Sequence, residues 1–155
     1  MGQKPDAFYA KQFENPANVT AHEITTGPEI IRQVGPDVDA LVAGVGTGGT
    51  LMGCMRALKK VNPDVHVAAV EPAEAAVMLG GMSLGSYRSH KIQGIGDGFI
   101  PQILDMDEVD EAMTVHSEEA MEVARSLTRE HGLMVGISVD KGGGQKDVGQ
   151  EEAHG

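Results

Sequence analysis

The chain has 155 residues, 41% of them hydrophobic, a size suited to one globular unit with a proper core. A net charge of -11 with no gathering of basic residues argues against nucleic acid as a partner. No apolar run approaches the roughly 18 to 20 residues that cross a bilayer, which argues against a membrane partner.

Residues 1–20 read as irregular, with turn chemistry in FENPANVT at Asn15-Pro16 and Asn18. The start, MGQKPDAFYAKQF, lacks a signal-peptide core, and a single cysteine allows no internal disulfide, so a cytoplasmic protein is expected. A helix is expected through GPEIIRQVG, where Pro28 suits the first turn and Gly35 a stop. VDALVAG is a short apolar strand of the kind buried on both faces of a parallel sheet. TLMGCMRALKKVNP follows as a helix ended by Asn62-Pro63, with Leu51, Cys54, Met55 and Leu58 on one face, which makes Cys54 a core residue rather than a nucleophile. VHVAAVEP is a second buried strand stopped by Pro72, so strand, loop, helix and strand form one right-handed parallel unit.

Beyond that unit, EAAVMLGGMSLGSYRSHKIQGIGDGFIP mixes a short helix with Gly-rich bends and reads as a functional excursion or a loop-rich layer. DEAMTV is a strand candidate. SEEAMEVARSLTREHG is the clearest helix, with Ser117 as cap, Glu118 and Glu119 at its positive end, Gly132 as stop, and Ala120, Val123, Ala124 and Leu127 as its buried stripe. The last stretch, VDKGGGQKDVGQEEAHG, is polar and glycine-rich and is expected to be disordered. No metal site is expected, because the histidines at 22, 66, 90, 116, 131 and 154 show no ligand spacing and one Cys cannot build a zinc site.

The chemistry concentrates in LVAGVGTGGTLMG, Leu41 to Gly53. A glycine loop between a buried strand and a helix N-terminus aims backbone N–H groups, backed by the helix dipole, at one spot that favours an anion. Two assignments of that anion stay open. With Gly44, Gly46 and Gly49 as anchors the loop fits G-x-G-x-x-G, and Glu71 lies where an acid grips the ribose of a dinucleotide, although it also suits a solvated strand end. With Gly46, Thr47, Gly48, Gly49 and Thr50 as anchors it is a cup for one terminal phosphate, whose charge accepts the added threonine hydroxyls.

Seven stretches, QFENPAN, TTGPEI, AGVGTGGT, VEP, HKIQGIGDGFIP, VDEAMTV and GIS, in that order between Phe8 and Ser138, together resemble the C-terminal half of the cysteine synthase (O-acetylserine sulfhydrylase) family of pyridoxal-phosphate enzymes. The resemblance implies an α/β fold, a parallel sheet with a mixed edge flanked by helices. This would be an incomplete large domain of the tryptophan-synthase-β-like type, over residues 1–138, with 139–155 a divergent tail. It implies that Gly46, Thr47, Gly48, Gly49 and Thr50 cradle the phosphate of pyridoxal 5'-phosphate and that Ser138 faces its ring nitrogen. Gln12 would help to hold the substrate carboxylate, and Gln93, Gly94 and Gly96 would line the other side. Full-length relatives make L-cysteine from O-acetylserine and sulfide. A transferase with a small amino-acid substrate is therefore implied, with a homodimer or a polypeptide carrying the N-terminal half as possible partners.

Two departures limit what carries over. The family's Schiff-base lysine and substrate-carboxylate loop belong to the N-terminal half, and no lysine here sits in the matching motif, so no catalytic residue is assigned and the chain alone is expected to be inactive. After GIS the family continues with a second serine, a glycine and an alanine-rich helix, whereas this chain reads Val139-Asp140-Lys141 and then GGG. The rival expectations are a non-catalytic module that binds a phosphate ligand or docks on a relative, and an NAD-binding Rossmann domain.

Overall fold

Short, almost wholly apolar segments bounded by turn residues pair side by side when both of their faces can be covered. β1 (Ala40–Gly44) and β2 (His66–Pro72) do so in parallel, with Ala40 opposite His66 and Gly44 opposite Val70. β3 (Glu111–Val115) pairs in parallel along the other side of β2, with Ala68 opposite Glu111 and Pro72 opposite Val115. The order β1-β2-β3 makes β2 the centre, and every residue of it after His66 is buried. These coordinates are a computed structural model, which describes residues 8–80 and 89–138. The expected parallel sheet is present, and no antiparallel edge strand occurs among the described residues.

β1 corrects one expectation. It was expected to be buried on both faces, yet among the described residues it is an edge strand with one neighbour, and Val42 is 38% exposed.

The first twenty residues are less irregular than expected. α1 (Ala17–Ile24) opens where the Asn15 side-chain oxygen accepts from the Ala17 N–H at 3.0 Å and Pro16 holds φ at -63°. Thr25 alone separates it from α2 (Thr26–Val34), which begins one residue before the Gly27 expected and stops at Gly35, whose φ of 92° suits glycine.

α3 (Gly49–Lys59) joins β1 to β2 and packs against α1, α2 and β1. Leu51, Cys54, Met55 and Leu58 are buried as expected, and so are Met52 and Ala57, because helices and sheet cover α3 on most sides. Burial pushes the Cys54 thiol above its ordinary value of 9.0, which keeps it protonated and inert. The core is aliphatic and methionine-rich, built from Val19, Val45, Leu51, Met52, Met55, Leu58, Val65, Val67, Ala69 and Leu104. Asn62 closes the helix end, donating to the Val38 carbonyl at 2.9 Å and accepting from the Asp64 N–H at 3.1 Å.

α4 (Ser117–His131) ends at Gly132 as expected, with φ 68° and ψ 14°. Its start and stripe differ from expectation. His116 is the cap residue, its N–H bound by the Glu119 carboxylate at 3.3 Å, while the Ser117 hydroxyl accepts from the Lys91 N–H at 3.0 Å. Ala120 and Ala124 are buried, but Val123 is 39% exposed, since small residues alone mark the line of closest packing. The short helix expected after Pro72 is a single 3₁₀ turn at Ala73–Ala75. Part of the Gly-rich excursion, the tail and the 138/139 boundary lie outside the described residues.

Glycine sets how closely α1 and α3 approach. A Cβ on Gly53 would overlap the Val19 carbonyl oxygen and lie 2.5 Å from the His22 Cβ and 2.8 Å from the Glu23 nitrogen. Gly53→Ala gains about 1 kcal/mol of helix propensity but forces two backbones apart, at a cost of about 1–3 kcal/mol. Urea unfolding is expected to show a net loss, on the order of 1 kcal/mol.

Candidate functional site

At the C-terminal end of β1 the chain turns out of the sheet through Val45, whose N–H donates to the Val70 carbonyl at 2.9 Å and whose carbonyl accepts from the Gly96 N–H at 3.1 Å. That residue thus ties the end of β2 to the segment around Gly96. Gly48 then reverses the chain in the left-handed region, φ 85° and ψ -11°, and α3 begins at Gly49. The first bond of the helix runs from the Met52 N–H to the Gly48 carbonyl at 3.0 Å, so the amides of Gly49, Thr50 and Leu51 have no intrahelical acceptor. The Gly49 N–H turns to Thr47 Oγ1 at 3.3 Å, and Thr50 and Leu51 line a cleft of about 200 Å³ together with Gly44, Gly46, Thr47, Gly48, Gly94 and Ile95.

Its walls approach so closely that side chains are excluded. A Cβ on Gly46 would overlap the Gly94 carbonyl oxygen, and one on Gly49 would overlap the Asn18 side-chain amide. Below the turn, a Cβ on Gly48 would lie 3.2 Å from the Leu104 Cβ. Next to Leu104, the Ile103 N–H donates to the Phe13 carbonyl at 3.3 Å, and the Phe13 ring meets Phe99 edge-on at 5.1 Å. Thr50 Oγ1 lies 3.2 Å from His22 Nε2, His22 Nδ1 lies 2.9 Å from Thr26 Oγ1, and Asn18 Nδ2 donates to Thr47 Oγ1 at 2.9 Å, so QFENPAN, TTGPEI and the glycine loop meet at one place.

The structure therefore gathers Gly46, Thr47, Gly48, Gly49, Thr50 and Gly94 around the helix N-terminus. Gly96 is buried nearby at φ 70°, where a Cβ would lie 2.5 Å from Pro72 Cδ. The Gln12 side chain is exposed, and its carbonyl accepts from Asn18 Nδ2 at 2.9 Å. Gln93 and Ser138 are exposed, and neither lines the cleft. Among the described residues the cup carries backbone dipoles and hydroxyls but no ionised side chain. That donor set suits an anion that supplies its own charge, and the absence of Cβ atoms leaves it room. Larger clefts lie elsewhere, about 600 Å³ beside Arg56 and Asp105 and about 510 Å³ beside Phe13 and Phe99, but neither contains the helix N-terminus.

Glu71 corrects both expectations for it. It is 2% exposed, so it is no solvated strand end. Its carboxylate accepts from the N–H groups of Val77 at 2.7 Å, Met78 at 3.0 Å and Leu79 at 3.3 Å, which commits it to the loop after β2 and removes the acid on which dinucleotide binding depended. Asn18 is a site residue that its turn chemistry concealed, since its partners Gln12 and Thr47 come from two other segments.

A second network secures the segment before Gly94. The Glu74 carboxylate accepts from the Ser117 N–H at 2.9 Å, the Ser117 hydroxyl accepts from the Lys91 N–H at 3.0 Å, and Lys91 Nζ reaches Glu118 at 2.6 Å. Burial alone would raise the Glu74 pKa, but hydrogen bonding from Ser117 and from its own backbone N–H, together with the nearby His116, outweighs it and holds the carboxyl below its ordinary value of 4.5. A depressed folded value contributes stability that is present above 4.5 and lost as pH falls through the lowered value. Acid titration of unfolding is expected to show a fall in stability below that point, shallower in Glu74→Gln. For the cup, Gly46→Ala is expected to abolish anion binding by calorimetry while the circular dichroism of the fold persists.

Residues 1–139 match the family model described as pyridoxal-phosphate dependent enzyme. The cysteine synthase of Staphylococcus aureus is 46% identical over 132 residues, covering 84% of this chain and 41% of that protein. Among solved structures, cysteine synthase from Entamoeba histolytica superposes with a TM-score of 0.79 at 38% identity, covering 88% of this chain and 39% of that one. An O-acetylserine dependent cystathionine beta-synthase from Helicobacter pylori gives 0.78 at 37%, covering 89% and 44%. The chain spans about two-fifths of the length of the curated relatives it matches. No helix among the described residues is long and apolar enough to cross a membrane.

Proposed function

This chain belongs to the family of pyridoxal-phosphate dependent enzymes, and on that premise we propose that it is the cofactor-phosphate-binding part of a cysteine synthase, acting on O-acetylserine and sulfide. The observation that carries the proposal is the cup at the start of α3, with left-handed Gly48, three amides beyond the reach of intrahelical carbonyls, and Gly94 opposite Gly46. The 46% identity to the S. aureus cysteine synthase favours sulfide as the acceptor, a choice that fold alone does not make, since the H. pylori enzyme shares the fold to a similar degree.

In this proposal the amides of Thr50 and Leu51 and the hydroxyls of Thr47 and Thr50 hold the phosphate, while the Gly49 N–H stays turned to Thr47 Oγ1. Gly46 and Gly94 keep the cleft open and narrow, excluding bulk water from the phosphate. Ser138 takes the ring nitrogen with a neutral hydroxyl, and Gln12 holds the substrate carboxylate, with Gln93 and Gly96 shaping the opposite wall. Bound pyridoxal phosphate supplies an electron sink for cleavage of bonds to the amino-acid carbons. A neutral partner at the ring nitrogen moderates that sink, which suits replacement at the β-carbon.

The described residues hold the phosphate cup but no lysine that lines it. We propose that the lysine that anchors the cofactor and moves the substrate α-proton comes from the remainder of the complete fold, on this polypeptide or another. Added pyridoxal phosphate is then expected to bind the 155-residue chain saturably, in competition with inorganic phosphate, without turnover of O-acetylserine and sulfide. Turnover by the chain alone, or borohydride fixation of the cofactor to one of its lysines, would refute the division of labour. Absence of saturable binding would refute the cup.

A further inference from the structure

Asn18 makes a contact with the cup that its place in a turn motif does not explain. Its Nδ2 lies 2.9 Å from the Gln12 carbonyl oxygen and 2.9 Å from Thr47 Oγ1. A carbonyl oxygen only accepts, so the atom facing it must be the amide nitrogen, and the orientation of the Asn18 amide is settled by chemistry. Asn18 therefore donates to Thr47. The Gly49 N–H also points at Thr47 Oγ1, at 3.3 Å.

A threonine hydroxyl has two acceptor positions and one proton. With both acceptor positions facing N–H donors, its own O–H is left to donate, directed away from Asn18 and Gly49. Among the described residues no protein acceptor meets it, and Thr47 lines the cleft. We propose that Asn18 is a positioning residue that polarises Thr47 and forces its hydroxyl proton toward the bound phosphate. The threonine becomes an obligate donor, matched to an anion and mismatched to a ligand that would itself donate there. Gly49 belongs to the same device, since any Cβ there would displace the Asn18 amide.

This inference rests on the phosphate-binding function proposed above, and its test separates the two. Asn18→Asp keeps the side-chain shape but replaces the donor by an acceptor, toward which the Thr47 proton would turn. Binding of inorganic phosphate and of pyridoxal phosphate to the full chain is measured by titration calorimetry in wild type, Asn18→Asp, Thr47→Val and the double variant. Asn18→Asp is expected to weaken both ligands about tenfold or more, the cost of losing one hydrogen bond to a charged group. In the Thr47→Val background the same change is expected to cost less than about threefold, because nothing remains to reorient. Unchanged affinity in Asn18→Asp overturns the inference while leaving the cup intact. A full loss that persists in the Thr47→Val background also overturns it, since that pattern is charge repulsion. A wild type that binds neither ligand overturns the cup and the inference together. Where circular dichroism shows Asn18→Asp to be unfolded, Asn18→Ser, which is too short to reach Thr47, is read in the same way, with equal affinity to wild type as the overturning result.

Discussion

A Cβ at position 46 would overlap the Gly94 carbonyl, one at 49 the Asn18 amide, and one at 53 the Val19 carbonyl. These three clashes lie along one path, from the exit of β1 into the second turn of α3, and their absence is the constraint on which the rest of the structure depends. Because the backbone of α3 can approach α1 directly, Asn18 reaches Thr47 and His22 reaches Thr50. Because Gly46 carries no side chain, the Gly94 segment can form the opposite wall of the cleft. The site is thus a product of close backbone packing, and the same atoms contribute to stability and to the proposed ligand recognition.

The chain carries a net charge of -11 yet the proposed ligand is an anion. Among the described residues no lysine or arginine lines the cleft to offset that charge. The attraction comes from amide N–H groups and a helix N-terminus, whose effect is strong within a few ångströms and falls off over the first turn. The surface carboxylates act through solvent, where screening confines them to about 8 Å at physiological salt. Lys60 and Lys91 are held against Glu23 and Glu118, so these cations serve local ion pairs. Local dipoles therefore set the sign of the site and the exposed charges set the sign of the whole molecule.

Acidic side chains inside the fold do structural work on neighbouring loops. Glu71 gathers the amides of Val77, Met78 and Leu79, and Glu74 receives the first amide of α4. Both follow from the end of the central strand, where the chain leaves the sheet and leaves N–H groups that need acceptors. The bonds hold the loop after β2 and, through Ser117 and Lys91, the segment that leads to Gly94. An acid after a buried strand is thus ambiguous by position alone, and at Glu71 burial decides its role.

Much was legible in local pattern. Apolar runs closed by proline or glycine marked β1 and β2, the helix after the glycine loop followed from its apolar spacing, and α4 followed from its charge order and Gly132. These are properties that a short segment expresses by itself, through backbone preference and period. α1 escaped because it is eight residues long with one buried side chain, Val19, so its helicity rests on packing against α3. The edge position of β1, the amides held by Glu71, and the pairing of Asn18 with Thr47 across 29 positions required the folded chain. Sequence alone determined that a glycine loop before a helix would favour an anion, since dipoles and left-handed glycines are local. Only the tertiary structure decided which distant side chains meet that loop, because close approach between segments is a property of their packing and of no segment alone.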